Sequence, residues 1–334
     1  MDQIGDEQFV SIDLSLGNVL PIRYDQGKSF PLSIWEAAIH ANMDALDYYI
    51  QMAMSETEKE EEEDDDVQDI TRFLNSRDPD TCCTLLHLAI SHNKNPIKIL
   101  EFLLEKGADP TIPNIYGIQA IHSVILHCPE PLECIELLLR YDQNVNACDN
   151  DDWTPLHYAA RFCKDPGPIF QLLIDRGANI NALNSANKTP LFSLLAGGDH
   201  SHVLKSLLEN QRMVNLHLKG DFLNTKNRQT KIGSLLLQAT KYGRLNSLQV
   251  LIDYVTTAGI LNIVTDRQEL LFGIDIAQEE LASQRTEGFE QIIDILRDSL
   301  QRFDIIKALP IVDDEKQTIQ PFQPFSFLQK LIWN

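Results

Sequence analysis

Four segments of this chain stand in one register of thirty-five residues, and no other feature constrains the fold as much. They are Thr84-Leu85-Leu86-His87, Gln119-Ala120-Ile121-His122, Thr154-Pro155-Leu156-His157 and Thr189-Pro190-Leu191-Phe192. A second apolar stretch at helical spacing follows each one, over 97–104, 132–139, 169–174 and 203–208. Turns then close the units, as in Gly107-Ala108-Asp109-Pro110, Asn144-Val145-Asn146-Ala147 and Gly177-Ala178-Asn179-Ile180-Asn181-Ala182. Glycine after a helix takes the left-handed conformation that stops it. A helix pair of this size cannot bury its apolar face alone, so neighbouring units must stack.

Weaker copies flank these four. Leu32-Ser33-Ile34-Trp35-Glu36-Ala37-Ala38 followed by 45–50 reads as an N-terminal unit, and Ser234-Leu235-Leu236-Leu237-Gln238-Ala239-Thr240 followed by 245–254 as a fifth after the clear four. Residues 270–277 with 289–296 read as a sixth. Terminal units of a stack are atypical because they cap it.

The pattern resembles the ankyrin repeat, whose signature is T-P-L-H-x-A, a second helix, and then G-A-D-x-N-A. The resemblance covers roughly residues 31–302, clear over 84–216 and degenerate over 31–54 and 230–302. It implies an all-α solenoid of about six helix-turn-helix repeats with short hairpin tips. It also implies that the motif histidines His87, His122 and His157 hydrogen-bond within and between repeats, a role lost in the fourth unit at Phe192. Thr154 and Thr189 are expected to cap first helices, with Pro155 and Pro190 next, where no N–H is needed.

Three stretches depart from the repeat. Residues 55–68 carry an acidic run, Glu56 to Asp66 broken by Lys59, that cannot pack and reads as a mobile insertion, either merely solvated or a dock for a basic partner. Residues 216–232 hold the basic cluster Lys219, Lys226, Arg228 and Lys231, and read as a second inserted loop. The two opposite charges either attract each other or mark two ends of a polar groove. Residues 303–334 form a Pro- and Phe-rich tail, expected to fold back on the last repeat or to engage a partner, while 1–30 are an N-terminal extension without a motif.

Composition narrows the function. A formal charge of −21 argues against nucleic acid and anionic lipid, both of which demand Lys and Arg, and favours a protein partner with a basic or mixed-charge segment. The six cysteines form no C-x-x-C pair and stand beside no zinc-spaced histidines, so they read as reduced thiols in cytosol or nucleus. No signal peptide and no apolar membrane span are evident. Phosphate-loop, dinucleotide, serine-hydrolase and zincin motifs are absent, so no cofactor, metal or small-molecule substrate is expected. Asp199-His200-Ser201-His202 falls where ankyrin repeats commonly start the second helix, and is read as structural.

Ankyrin proteins usually bind partners in the groove between hairpin tips and first helices. By register, that groove holds Ile115, Tyr116, Ile118, Leu126 and His127, then Asn150, Asp151, Trp153, Arg161 and Phe162, then Ser185, Ala186 and Lys188. Tyr116, Trp153 and Phe162 are the expected anchors, with Asp149, Asp151 and Arg161 around them. The reading is a non-enzymatic interaction module: an adaptor, scaffold or regulatory subunit. A microbial or viral effector engaging a host protein in the host cytosol is the alternative. An enzyme of unfamiliar type is the third, with only 1–30 and 303–334 to house it.

Overall fold

Thr84, Gln119, Thr154 and Thr189 each take an extended backbone just before a first helix, so the thirty-five-residue register becomes a register of helix starts. The structure is a computed structural model that describes residues 22–23, 29–30, 32–57, 71–141, 143–210, 214–223, 230–283 and 288–308. In chain order the described elements begin with two short strands, β1 (Ile22–Arg23) and β2 (Ser29–Phe30), paired antiparallel. The helix pairs follow: α1 (Ile34–Ile39) and α2 (Met43–Thr57), α3 (Leu85–His92) and α4 (Ile97–Glu105), α5 (Ala120–His127) and α6 (Leu132–Arg140). Next come α7 (Pro155–Phe162) and α8 (Gly167–Asp175), then α9 (Pro190–Gly197) and α10 (Ser201–Glu209). A ribbon of β3 (Gly220–Leu223) and β4 (Thr230–Gly233) precedes α11 (Leu235–Lys241), α12 (Leu245–Thr257), α13 (Leu261–Val264), α14 (Arg267–Ala282) and α15 (Phe289–Ala308).

First helices stack on first helices, α1 on α3, then α5, α7, α9, α11 and α14, while second helices form a parallel outer layer. This is the all-α repeat solenoid that the register implies. Small residues set the inner spacing: Ala159 and Ala160 of α7 are fully buried, as are Ala89 and Ala120 in the units before. One continuous apolar core runs from Ile34 to Phe303.

Histidine joins the middle units. The His157 Nδ1 accepts from the backbone N–H of Thr154 at 3.1 Å, so the ring proton sits on Nε2, which donates to the Lys188 carbonyl at 2.9 Å in the next unit. His87 lies between the Thr84 hydroxyl, at its Nδ1, and the Ile118 carbonyl, at its Nε2, at 2.8 Å on each side. His122 takes the Gln119 N–H and reaches the Ala147 carbonyl at 3.1 Å. A buried ring in this role must be neutral, and burial pushes all three below the ordinary histidine value, His122 to about 4.

Several expectations are corrected. Thr154 and Thr189 both occupy the N-cap, but Thr189 does so by backbone alone, with no side-chain capping bond, and the Thr154 hydroxyl lies 2.9 Å from His157 Nδ1. The N-terminal unit does not stop at 54, since α2 runs to Thr57, three residues into the expected acidic loop. The rest of that loop, 58–68, lies outside the described residues. Residues 71–74 resume as a helical turn, with Phe73 and Leu74 in the core. At the other end α15 continues to Ala308, and Phe303, placed in the tail by its sequence, is core at 3% exposure. The tail beyond Ala308 lies outside the described residues.

Candidate partner-binding groove

Each hairpin tip is braced by one side-chain oxygen. The Asn114 Oδ1 accepts from the N–H groups of Tyr116 and Ile118, the Asp149 Oδ1 from Asp151 and Trp153, and the Asn184 Oδ1 from Ala186 and Lys188. The tip itself needs a left-handed residue three positions later. Gly117, Asp152 and Asn187 hold that place, with φ of 78°, 59° and 54°, and Cys82, one unit earlier in the register, has φ of 55°. Asp and Asn tolerate this conformation better than most residues, so Asp152 and Asn187 stand where the repeat ordinarily has glycine.

Adjacent tips are tied by backbone bonds in the same register. Asn150 N–H donates to the Tyr116 carbonyl, Ser185 N–H to that of Asp151, and Asp221 N–H to that of Ala186, each at 3.0 Å. Asp221 lies on β3, so the stretch 216–232 is not a plain inserted loop. It is an enlarged fifth tip, drawn out into the β3–β4 ribbon with Phe222 opposite Lys231. The ribbon therefore extends the row of tips that walls the groove.

The expected site residues divide into three groups. Trp153 and Phe162 come together, their rings stacked at 6.2 Å and 29° over Tyr158, which lies 5.9 Å from one and 5.7 Å from the other. The Arg161 guanidinium stands 5.8 Å over the Phe162 ring. Trp153 is half-buried against the core, whereas Phe162 is 51% exposed. Tyr116 is separate: it is 64% exposed on the preceding tip, beside Ile115 at 53%, and makes no ring contact with the cluster. It is linked to the next tip only through its carbonyl. The three expected anchors thus divide into a stacked pair and an exposed tip.

Asp149 is turned inward. One carboxylate oxygen braces the tip and the other accepts from the Tyr158 hydroxyl at 2.7 Å. Burial and that carboxylate push the Tyr158 phenol up. The carboxylates turned to solvent at this tip are Asp151 and Asp152. The brace escaped the sequence reading, although Asn114, Asp149 and Asn184 repeat at the unit spacing. Ile118 packs on the core, Leu126 is exposed, and His127 is lowered by burial and by His92. Asp199, in the Asp-His-Ser-His run, accepts from Asn246 and Ser247 in the next unit, which is a structural role.

All six cysteines are free thiols. Among the described residues no group of His, Cys, Asp and Glu is arranged to hold a metal, and no helix is long and apolar enough to cross a membrane.

The family model for ankyrin repeats, in three copies, matches residues 86–184. Residues 86–184 are ankyrin repeats, and repeats of this family are in general protein–protein interaction modules, typically without enzymatic activity. No curated protein matches the chain.

Proposed function

We propose that the chain is a non-enzymatic adaptor or regulatory subunit that holds one protein segment along the groove between its tips and first helices. The observation that carries this reading is exposure without structural need. Phe162, Tyr116 and Ile115 are each more than half exposed, although Ala159 and Ala160 on the helix of Phe162 are fully buried. Large aromatics left in water beside a polar rim are the ordinary anchors of an interface. Trp153 supports Phe162 from below and adds less exposed surface of its own. Asp151 and Asp152 at the same tip favour a basic or mixed-charge segment, as does the net charge of −21.

The test uses the full chain as bait with a partner captured from cells and then purified. Phe162→Ala and Tyr116→Ala are expected to weaken binding about tenfold or more, equivalent to about 1.4 kcal/mol. Asp151→Asn should mainly slow association at low salt. Glu136→Arg, on the exposed face of α6, should bind as the unaltered chain does. If Glu136→Arg abolishes binding while Phe162→Ala and Tyr116→Ala do not, the groove is not the site. Trp153→Ala is a poorer probe, because its ring is also part of the packing under Phe162.

A further inference from the structure

The enlarged fifth tip brings a second chemistry to the far end of the groove. Successive residues of a strand point to opposite faces, so Gly220 and Phe222 of β3 share one face, about 7 Å apart. Gly220 lies against the side chain of Lys188: a Cβ there would sit 2.7 Å from the Lys188 Cγ. Phe222 is buried at 2% exposure and carries the Lys241 ammonium 4.5 Å above its ring. Lys188 occupies the position that Ile118 and Trp153 hold in earlier units, and Lys241 ends the first helix of the fifth unit. Two half-buried lysines from different units therefore converge on one face of one strand.

Their charges are less closely balanced than that of a neighbouring lysine. Lys219, just before β3, forms an ion pair with Glu269 at 2.9 Å, and that carboxylate is almost fully buried. Among the described residues no carboxylate pairs in this way with Lys188 or Lys241. Asp221, between Gly220 and Phe222, is the carboxylate of this strand, and its Oδ1 accepts from the Asn187 carboxamide at 3.4 Å. Burial, and then the Lys241 charge, push the Lys188 ammonium below its usual range, with Asp221 acting the other way. Two cations on one strand face, neither in an ion pair among the described residues, favour a shared anion.

We propose that Lys188 and Lys241 form an anion site at the C-terminal end of the groove that takes the phosphate monoester of a phosphorylated side chain on the partner segment. The placing of that segment rests on the groove reading above. A phosphate monoester carries a charge of about −1.5 to −2 and three acceptor oxygens, enough to engage two ammonium groups at once. A carboxylate balances only one. The partner then lies with basic or mixed character near Asp151 and Asp152, and its phosphate two tips away.

The full chain is titrated with phenyl phosphate, and separately with acetate at matched ionic strength, reading the backbone amides of Gly220 and Phe222 by NMR. Saturable shifts are expected with phenyl phosphate, and about tenfold weaker ones with acetate. Lys188→Gln and Lys241→Gln should each weaken the phosphate response about threefold or more, while the double Arg variant retains it. Equal responses to the two anions, shifts that never saturate, or glutamine variants that respond like the unaltered chain would each overturn the site. The anion comparison on the unaltered chain stands even where a variant folds poorly. Because the probe is a small molecule, Phe162→Ala should leave it unchanged, so failure of the groove reading is seen separately in partner binding.

Discussion

Between residues 84 and 197 histidine fastens the units: His87 and His157 bridge the start of their own first helices to a carbonyl of the next unit, and His122 bridges its own to the Ala147 carbonyl in the closing turn. From residue 234 onward there is no histidine, and the joints are made otherwise. The Gln238 carboxamide donates to the Phe192 carbonyl, and the Arg244 guanidinium donates to the carbonyls of Leu195 and Ala196. Glu269 accepts from the Ser234 N–H and pairs with Lys219. The helices stack in the same way in both regions, so the architecture does not depend on which side chain makes the joint. What differs is the response to protons. A histidine joint works only with Nδ1 unprotonated, whereas a carboxamide has no such requirement.

The largest expected effect breaks that comparison with acid. The three histidines bind fewer protons folded than unfolded between their folded values and the ordinary 6.5. Their stabilisation is therefore complete above pH 6.5 and is lost as pH falls toward the folded values, about 4 for His122. His122 alone corresponds to about 3 kcal/mol across that window. Asp149 works against the shift at His122 and His157 without cancelling it. Solenoids open by local units, so hydrogen exchange should show amides of α3, α5 and α7 losing protection between pH 6.5 and 4.5 before those of α11 and α12. Earlier opening of α11 and α12 would show that the histidine joints are not the acid-sensitive element.

The next expected effect falls on the tips. Gly117 has φ of 78°, and a Cβ there would sit 2.5 Å from the backbone nitrogen of Asn150 in the next tip. Backbone cannot swing away as a side chain does, so Gly117→Ala should cost about 2 kcal/mol or more, read as a lowered melting temperature. A smaller loss, about 1–2 kcal/mol, is expected for Arg244→Met, which leaves the Leu195 and Ala196 carbonyls without their donor. That loss should stay nearly constant from pH 7 to pH 5, unlike a change at His157. A pH-dependent Arg244→Met effect would merge the two regions that the comparison separates.

The middle of this molecule was legible in its sequence, and the ends were not, for a physical reason. A thirty-five-residue register records helix starts, cores and turns, which are set by local spacing, so α3 to α10 fall where the motif places them. The β3–β4 ribbon depends on pairing between Gly220-Asp221-Phe222-Leu223 and Thr230-Lys231-Ile232-Gly233, four residues each and without clean alternation. Short strands of this kind are decided by their neighbours rather than by their own residues. The same holds for Phe303, whose burial comes from packing at the end of α15 and not from any repeat. In the site, the aromatic types were readable, but the inward turn of Asp149 was not. A carboxylate that braces its own tip has the same letter as one that faces a partner.

The smallest expected effect separates two tips that share one position. Asp152, in register with Gly117, also sits in the left-handed region, at φ 59°. Unlike Gly117, it already carries a Cβ, and its side chain is exposed. Glycine adopts this conformation without the steric cost that an L-residue bears, though it adds freedom to the unfolded chain. The two terms nearly cancel for aspartate, which leaves a net stabilisation for Asp152→Gly of about 0.5 kcal/mol. The change also removes one of the two exposed carboxylates at the central tip, so association with a basic partner should slow at low salt while the dissociation rate holds. Thermal melts and association rates are measured on the same variant. A melting temperature that falls would show that the Asp152 side chain stabilises its tip. An unchanged association rate would leave Asp151 as the carboxylate that steers.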